Sequence, residues 1–138
     1  MPPENLHVTL VFLGDINPRQ QMQLSQGAET IQTGPFSLNL NQMGYWPKQQ
    51  IAFLGADAIP DELQDLVSQL KSLVRKTGLR VEQRAYQPHI TLARRCEQPP
   101  ATPILSPAFD LHFDSFDLVE SQRHKTGARY QSLNAWPL

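Results

Sequence analysis

His7-Val8-Thr9-Leu10 and His89-Ile90-Thr91-Leu92 repeat one pattern 82 residues apart: a histidine, a β-branched residue, a threonine and a leucine. Composition makes coincidence a poor account. With 4 His, 7 Thr and 18 Leu in 138 residues, two of the four histidines would acquire the same Thr and Leu about 3 times in 10,000. Both copies sit in apolar, β-branched runs, Leu6 to Leu13 and Pro88 to Ala93, which predict strands. Side chains alternate along a strand, so His7 and Thr9 share one face and Leu6, Val8 and Leu10 the other. His89 and Thr91 stand against Ile90 and Leu92 in the same way. If the two strands lie near each other, two imidazoles and two hydroxyls converge on one ligand.

That set of groups suits acid–base chemistry at phosphorus. Imidazole titrates near neutrality, so one ring can accept a proton while the other, still protonated, gives one up. Displacement at a phosphodiester uses both roles, on opposite sides of the phosphorus, and threonine hydroxyls can hydrogen-bond the non-bridging oxygens where charge accumulates. A lone His-x-Thr is ordinarily just part of a strand surface. The recurrence of the same polar pair is what packing leaves unexplained.

The motifs carry a family resemblance. Pro3-Glu4-Asn5-Leu6-His7-Val8-Thr9-Leu10-Val11-Phe12-Leu13-Gly14-Asp15 resembles the first signature of the 2H phosphoesterases, nearest to their RNA 2′,3′-cyclic phosphodiesterases, historically called 2′-5′ RNA ligases. Pro88-His89-Ile90-Thr91-Leu92-Ala93-Arg94 is similar to the second signature, trailing arginine included. Ile51 to Gly55 is similar to the family's middle strand, and Arg129 to Leu133 with Trp136 to its closing strand. The likeness covers essentially the whole chain. It implies an α+β fold of two pseudo-symmetric lobes, each a small antiparallel sheet with a helix outside, and an active groove between them lined by one motif strand from each. It also implies His7 as the general acid that protonates a departing 3′ oxygen and His89 as the general base that activates water. Thr9 and Thr91 would hold the phosphoryl oxygens, and Arg94 would contact phosphate or nucleotide. From the residues alone the two imidazoles are equivalent and the roles interchangeable. Family members begin with an apolar strand and a helix ahead of the first motif, whereas this chain starts almost at the motif. Residues 1–138 are therefore expected to be a single 2H domain, N-terminally incomplete, with an uncovered strand edge in the first lobe.

Composition bounds the rest. The length suits one domain with enough core to fold alone. The single Cys96 excludes an intramolecular disulfide framework. No basic-then-apolar leader is visible and no apolar run approaches a membrane-spanning length, so a cytoplasmic protein with no membrane partner is expected. Net charge is −1 but uneven: −5 over the first 70 residues and +4 over the remainder. That asymmetry fits recognition of one RNA end better than coating of a long backbone. Arg129 and Tyr130 are candidates for phosphate contact and base stacking. His112 and His124 lack a threonine partner, and no His-x₃-His or Cys-x₂-Cys spacing exists, so neither a metal nor another cofactor is expected.

Between the motifs, Asn17-Pro18 caps a helix expected to reach about Thr33, with Leu24, Ala28 and Ile31 inward and Gly27 its weak point. Phe36, Leu38 and Leu40 alternate as a strand, and Gln49 to Ala56 predicts another. Pro60-Asp61-Glu62 opens the best helix, striped by Leu63, Leu66, Val67, Leu70, Leu73 and Val74, with Arg75-Lys76 and Gly78 closing it. Leu79 to Gln83 predicts a short strand, Gln98 to Pro103 a loop, and Phe109 to Phe113 and Phe116 to Leu118 two strands. Thr126-Gly127 turns the last hairpin into Arg129 to Trp136. The expected partner is an RNA ending in a 2′,3′-cyclic phosphate, or a cyclic nucleotide. The expected reaction is its opening to a 2′-phosphate. The rival readings are a non-catalytic RNA- or nucleotide-binding module and reversible 2′-5′ ligation, since the same groups serve both directions. Nothing in the residues sets the oligomeric state.

Overall fold

The computed structural model describes residues 2–101 and 107–138, so residues 102 and 103 of the expected proline-rich loop lie outside the described residues. The described elements are a 3₁₀ turn (Pro3–Asn5), α1 (Pro18–Ala28), β1 (Phe36–Leu40), β2 (Gln42–Trp46), β3 (Ile51–Gly55), α2 (Asp61–Lys76), β4 (His89–Ala93), β5 (Phe109–Phe113), β6 (Ser115–His124) and β7 (Gly127–Pro137). The fold is α+β, with two helices and small sheets. β2, β3 and β4 form an antiparallel sheet in that order, β1 pairs with β5, and β6 with β7 makes an antiparallel hairpin.

The chain divides into two compact units. The first comprises Met1–Thr9, Ser37–Ile59 and Gln87–His112; the second comprises Leu10–Phe36, Pro60–Tyr86 and Phe113–Leu138. His7, Val8 and Thr9 fall in the first unit together with the whole of the second motif, whereas Leu10 to Leu13 fall in the second.

In the first unit the alternation that predicts β1 is realised: Phe36, Leu38 and Leu40 are buried while Ser37 and Asn39 are exposed. β2 is the element that sequence reading missed, because Gly44 interrupts its apolar run and no period-two pattern survives. The β2–β3 turn is tight enough to hold Gln50 at φ 56°. At the other end of this hairpin, the Asn41 amide donates to Asp57 Oδ1 at 2.9 Å, and the Asp57 N–H donates to Asn41 Oδ1 at 3.2 Å. β3 keeps only the middle of its expected span.

The first motif segment departs from expectation. Leu6 to Leu13 is not a strand: it begins after the 3₁₀ turn and makes one isolated antiparallel bridge, Val8 to Ile90. Extended propensity gives the backbone its shape, but a ladder needs a partner edge of matching length. β4 is five residues long and meets this segment only at Ile90.

In the second unit Asn17 caps α1 with a reciprocal pair. Its side chain accepts from the Gln20 N–H at 2.8 Å, and the Gln20 side chain accepts from the Asn17 N–H at 3.0 Å. α1 ends at Ala28, five residues short of expectation. There the Thr30 hydroxyl and N–H both donate to the Gly27 carbonyl, at 2.7 and 3.0 Å, and tighten the last turn away from the helix path. Gly27 is a close-approach point more than a weak one, since a Cβ there would fall 2.2 Å from Leu73 Cδ1 of α2.

α2 matches its expected stripe, with Leu63, Leu66, Val67 and Val74 buried, acids in its first turn and Arg75-Lys76 in its last. Gly78, at φ 87°, ends the run. The strand expected over Leu79 to Gln83 is absent. Charged Arg80 and Glu82 alternate with nothing paired to them across a ladder, and Glu82 is instead bridged locally by Arg84 at 3.0 Å. β6 and β7 run longer than the apolar residues alone suggested, because the outer half of the hairpin is a polar, exposed ladder with a bulge between Leu118 and Val119.

Two measurements check this packing. Leu66 is fully buried, so Leu66→Ala should cost about 2–5 kcal/mol of unfolding free energy in a urea titration. Burial also pushes the phenol of half-buried Tyr86 well above its usual value of 10.0. The neutral form is favoured in the folded state, so its contribution is complete below about pH 10 and falls as pH rises from there. Melting temperatures compared between about pH 9 and pH 11 should fall less in Tyr86→Phe than in the parent protein.

Candidate active site

The bridge between Val8 and Ile90 sets the local register of the two motifs. In an antiparallel bridge the positions on either side are matched in reverse, so residue 7 runs beside residue 91 and residue 9 beside residue 89. Each histidine is thus set across from the threonine of the other copy. Val8 and Ile90 share one face, and alternation sends His7, Thr9, His89 and Thr91 to the opposite face. The two imidazoles are then diagonal neighbours, a relation of about 7–8 Å between backbones.

Both rings are oriented by the same device. Nδ1 of His7 lies 2.6 Å from the carbonyl oxygen of Asn5, and Nδ1 of His89 lies 2.8 Å from that of Gln87, in each case two residues upstream. A carbonyl can only accept, so Nδ1 carries the hydrogen in both rings, and Nε2 is the nitrogen that exchanges a proton. The repeated motif is therefore longer than the tetrapeptide, beginning at Asn5 and Gln87. The carrier of the first bond is well fixed: Asn5 closes the 3₁₀ turn and is 7% exposed. Pro88, buried between Gln87 and His89, restricts the second.

The environments of the rings differ. His7 is exposed and His89 half-buried. On the sheet, His89 stands opposite Gly55 and Thr91 opposite Phe53, while Phe53 in turn stands opposite Gly44 and Trp46 opposite Ile51. The rings of Trp46 and Phe53 stack with centroids 3.9 Å apart, and His89 meets them edgewise at 4.7 and 5.8 Å. This aromatic wall escaped sequence reading. Its signal was Gly44 and Trp46 two apart, matching Phe53 and Gly55 two apart, which is visible only once β2 is recognised as a strand.

Of the remaining candidates, Arg94 follows the last residue of β4. The strand ends there, Arg95 takes φ 56°, and strand parity no longer governs the Arg94 side chain, which is exposed. Two bonds hold this turn: the Cys96 N–H donates to the Gln50 carbonyl at 2.8 Å, and the Tyr45 hydroxyl donates to the Cys96 carbonyl. Arg129 and Tyr130 lie on β7 of the second unit, paired with Gln122 and Ser121; Arg129 is exposed and Tyr130 half-buried. His112 sits 3.3 Å from the Ser37 hydroxyl, and His124 ends β6 at the hairpin turn. Among the described residues no cluster of three or more His, Cys, Asp or Glu side chains is placed to hold a metal ion, and no helix is long and apolar enough to cross a membrane.

A sequence model of the 2′-5′ RNA ligase superfamily matches residues 2–125. The chain belongs to that superfamily. Among its members, a protein of Escherichia coli (strain K12) named RNA 2′,3′-cyclic phosphodiesterase is 32% identical over 137 residues, which span 98% of this chain and 77% of that one. A protein of the same name from Thermus thermophilus is 28% identical over 148 residues, spanning 100% of this chain and 74% of that one. Among solved structures, E. coli LigT complexed with 3′-AMP superposes with a TM-score of 0.86 at 32% identity, covering 100% of this chain and 84% of the other. The 2H phosphoesterase character expected from the two motifs is thus shared with proteins matched over nearly the whole chain.

Proposed function

We propose that this chain hydrolyses the 2′,3′-cyclic phosphate at an RNA end, or in a cyclic nucleotide, to a 2′-phosphate. The observation that supports this reading is the doubled His–carbonyl bond beside the Val8–Ile90 bridge, where strand alternation would turn both histidines and both threonines to one face. The names of the E. coli and T. thermophilus relatives support the substrate class, and a LigT structure holding 3′-AMP supports a nucleotide as ligand.

In the proposed cycle His89 Nε2 takes a proton from water, whose oxygen attacks phosphorus. The P–O3′ bond breaks on the opposite side, and His7 Nε2–H gives its proton to the departing 3′ oxygen. Water is consumed and one proton moves from His7 to the product while another moves from water to His89. Exchange with solvent restores both rings. Thr9 and Thr91 donate hydrogen bonds to the non-bridging oxygens as charge builds there. Arg94 is the proposed contact to phosphate or nucleotide.

One ring must enter the cycle protonated and the other neutral. The logarithm of kcat plotted against pH should therefore rise with unit slope, pass a maximum and fall with unit slope. Stopped turnover of 2′,3′-cyclic AMP across a buffer series checks this, in parallel with a chelator series in which the rate should not change. A rate abolished by EDTA and restored by zinc would point to a metal-centred reaction instead. The three-point experiment that tests the function itself is turnover by the parent chain, by His7→Ala and by His89→Ala.

A further inference from the structure

The Nδ1 bond to Gln87 fixes the tautomer of His89 but leaves its ring able to swing about that bond. We propose that Trp46 is a positioning residue for His89, acting through an edge-to-face contact that stops this swing and aims Nε2 at the reacting face. The proposal rests on the reading of His89 as a proton-transfer group. The two planes meet at 85° with centroids 4.7 Å apart, the geometry in which an aromatic face meets a ring edge most favourably. Trp46 is itself braced, since Phe53 stacks on it at 3.9 Å and 25°.

The sheet is built to allow this arrangement. A Cβ on Gly44 would fall 2.2 Å from Phe53 Cζ, so the Phe53 ring lies across this position and would have to shift for any side chain there. Gly55, directly opposite His89, offers no side chain to compete for the space beside the imidazole. Two glycines and two aromatics at alternate positions of β2 and β3 thus form a wall on the histidine side of the sheet. The buried side chains of β3 are Ala52 and Leu54, which point the other way. Trp46 and Phe53 remain half-buried.

The test compares the parent chain with Trp46→Leu, Trp46→Phe and Gly44→Ala by steady-state turnover of 2′,3′-cyclic AMP and by nitrogen-15 NMR of the histidine rings. A misaimed proton-transfer group costs up to about a hundredfold in rate. Trp46→Leu should therefore lower kcat by about ten- to a hundredfold with KM within about twofold, and Trp46→Phe should recover most of the loss. The His89 ring should keep the Nδ1–H tautomer in both proteins, and nitrogen-15 relaxation should report a more mobile ring in Trp46→Leu than in the parent. Gly44→Ala, which keeps Trp46 but displaces Phe53, should act in the same direction and replaces Trp46→Leu should that variant fail to fold. A folded variant with unchanged kcat and unchanged His89 ring motion would overturn the proposal. So would a raised KM at constant kcat, which would make Trp46 a base-stacking contact. Because the ring motion is read without substrate, a parent chain that turns nothing over would defeat the proposed function and still leave the positioning role decided by NMR.

Discussion

His89→Ala should lower kcat on a 2′,3′-cyclic nucleotide by about a hundred- to ten-thousandfold while leaving KM within a few-fold, and His7→Ala should do the same. Both imidazoles act on protons in flight, so each contributes in the transition state and little to binding the ground state. The double variant should fall well short of the product of the two losses, because water attack and leaving-group departure are one displacement that either deletion already disables. Steady-state kinetics on the four proteins, with circular dichroism to establish folding, makes the comparison. A large KM increase at constant kcat in either single variant would recast that histidine as a binding group and favour the non-catalytic module.

Thr91→Ala has the second largest expected effect, about ten- to a hundredfold in kcat, with Thr9→Ala in the same range or below. Removing a single oxyanion donor costs about a hundred- to a thousandfold where the site is closed to water. Here Thr91 is half-buried and Thr9 exposed, which brings the expectation down and orders the two. Thr→Ser keeps the hydroxyl and should recover most of the rate, whereas Thr→Val keeps the shape and should not. The Val and Ser variants together separate hydrogen bonding to phosphate from packing beside Phe53, which stands opposite Thr91. Equal rates for the two would remove the hydroxyl from the mechanism.

The fold was legible where pattern and burial agree. The stripe of α2, the alternation of β1 and the reciprocal cap at Asn17 are local signals, and each appears in the structure with its bounds within a few residues. β2 was illegible because Gly44 replaces the side chain that would have shown the period. The reason for that glycine lies on the neighbouring strand, in the ring of Phe53. The segment Leu6 to Leu13 misled in the opposite direction: it has the residues of a strand but only one bridged position, since partner edges are not written in local sequence. Nor is the stop of α1 at Ala28, which depends on a threonine turning back onto Gly27.

Of the candidate site, the repeat alone singled out His7, Thr9, His89 and Thr91, and the structure adds one bridge between their segments, Val8 to Ile90. What holds them was not legible. The carbonyls of Asn5 and Gln87 are backbone groups and leave no mark on residue type, and the aromatic wall depends on the pairing of β2, β3 and β4. Two motifs that are equivalent as sequence therefore become unequal as structure, with His89 half-buried against the rings of Trp46 and Phe53 and His7 more exposed. This asymmetry gives the proposed base a held orientation.

The most direct test is phosphorus NMR of the product formed from 2′,3′-cyclic AMP by the parent chain, with His89→Ala as control. The account predicts conversion of the cyclic resonance to adenosine 2′-monophosphate alone, and no conversion above background in the control. A folded parent chain that binds the nucleotide without converting it, or that yields the 3′-monophosphate, would contradict it.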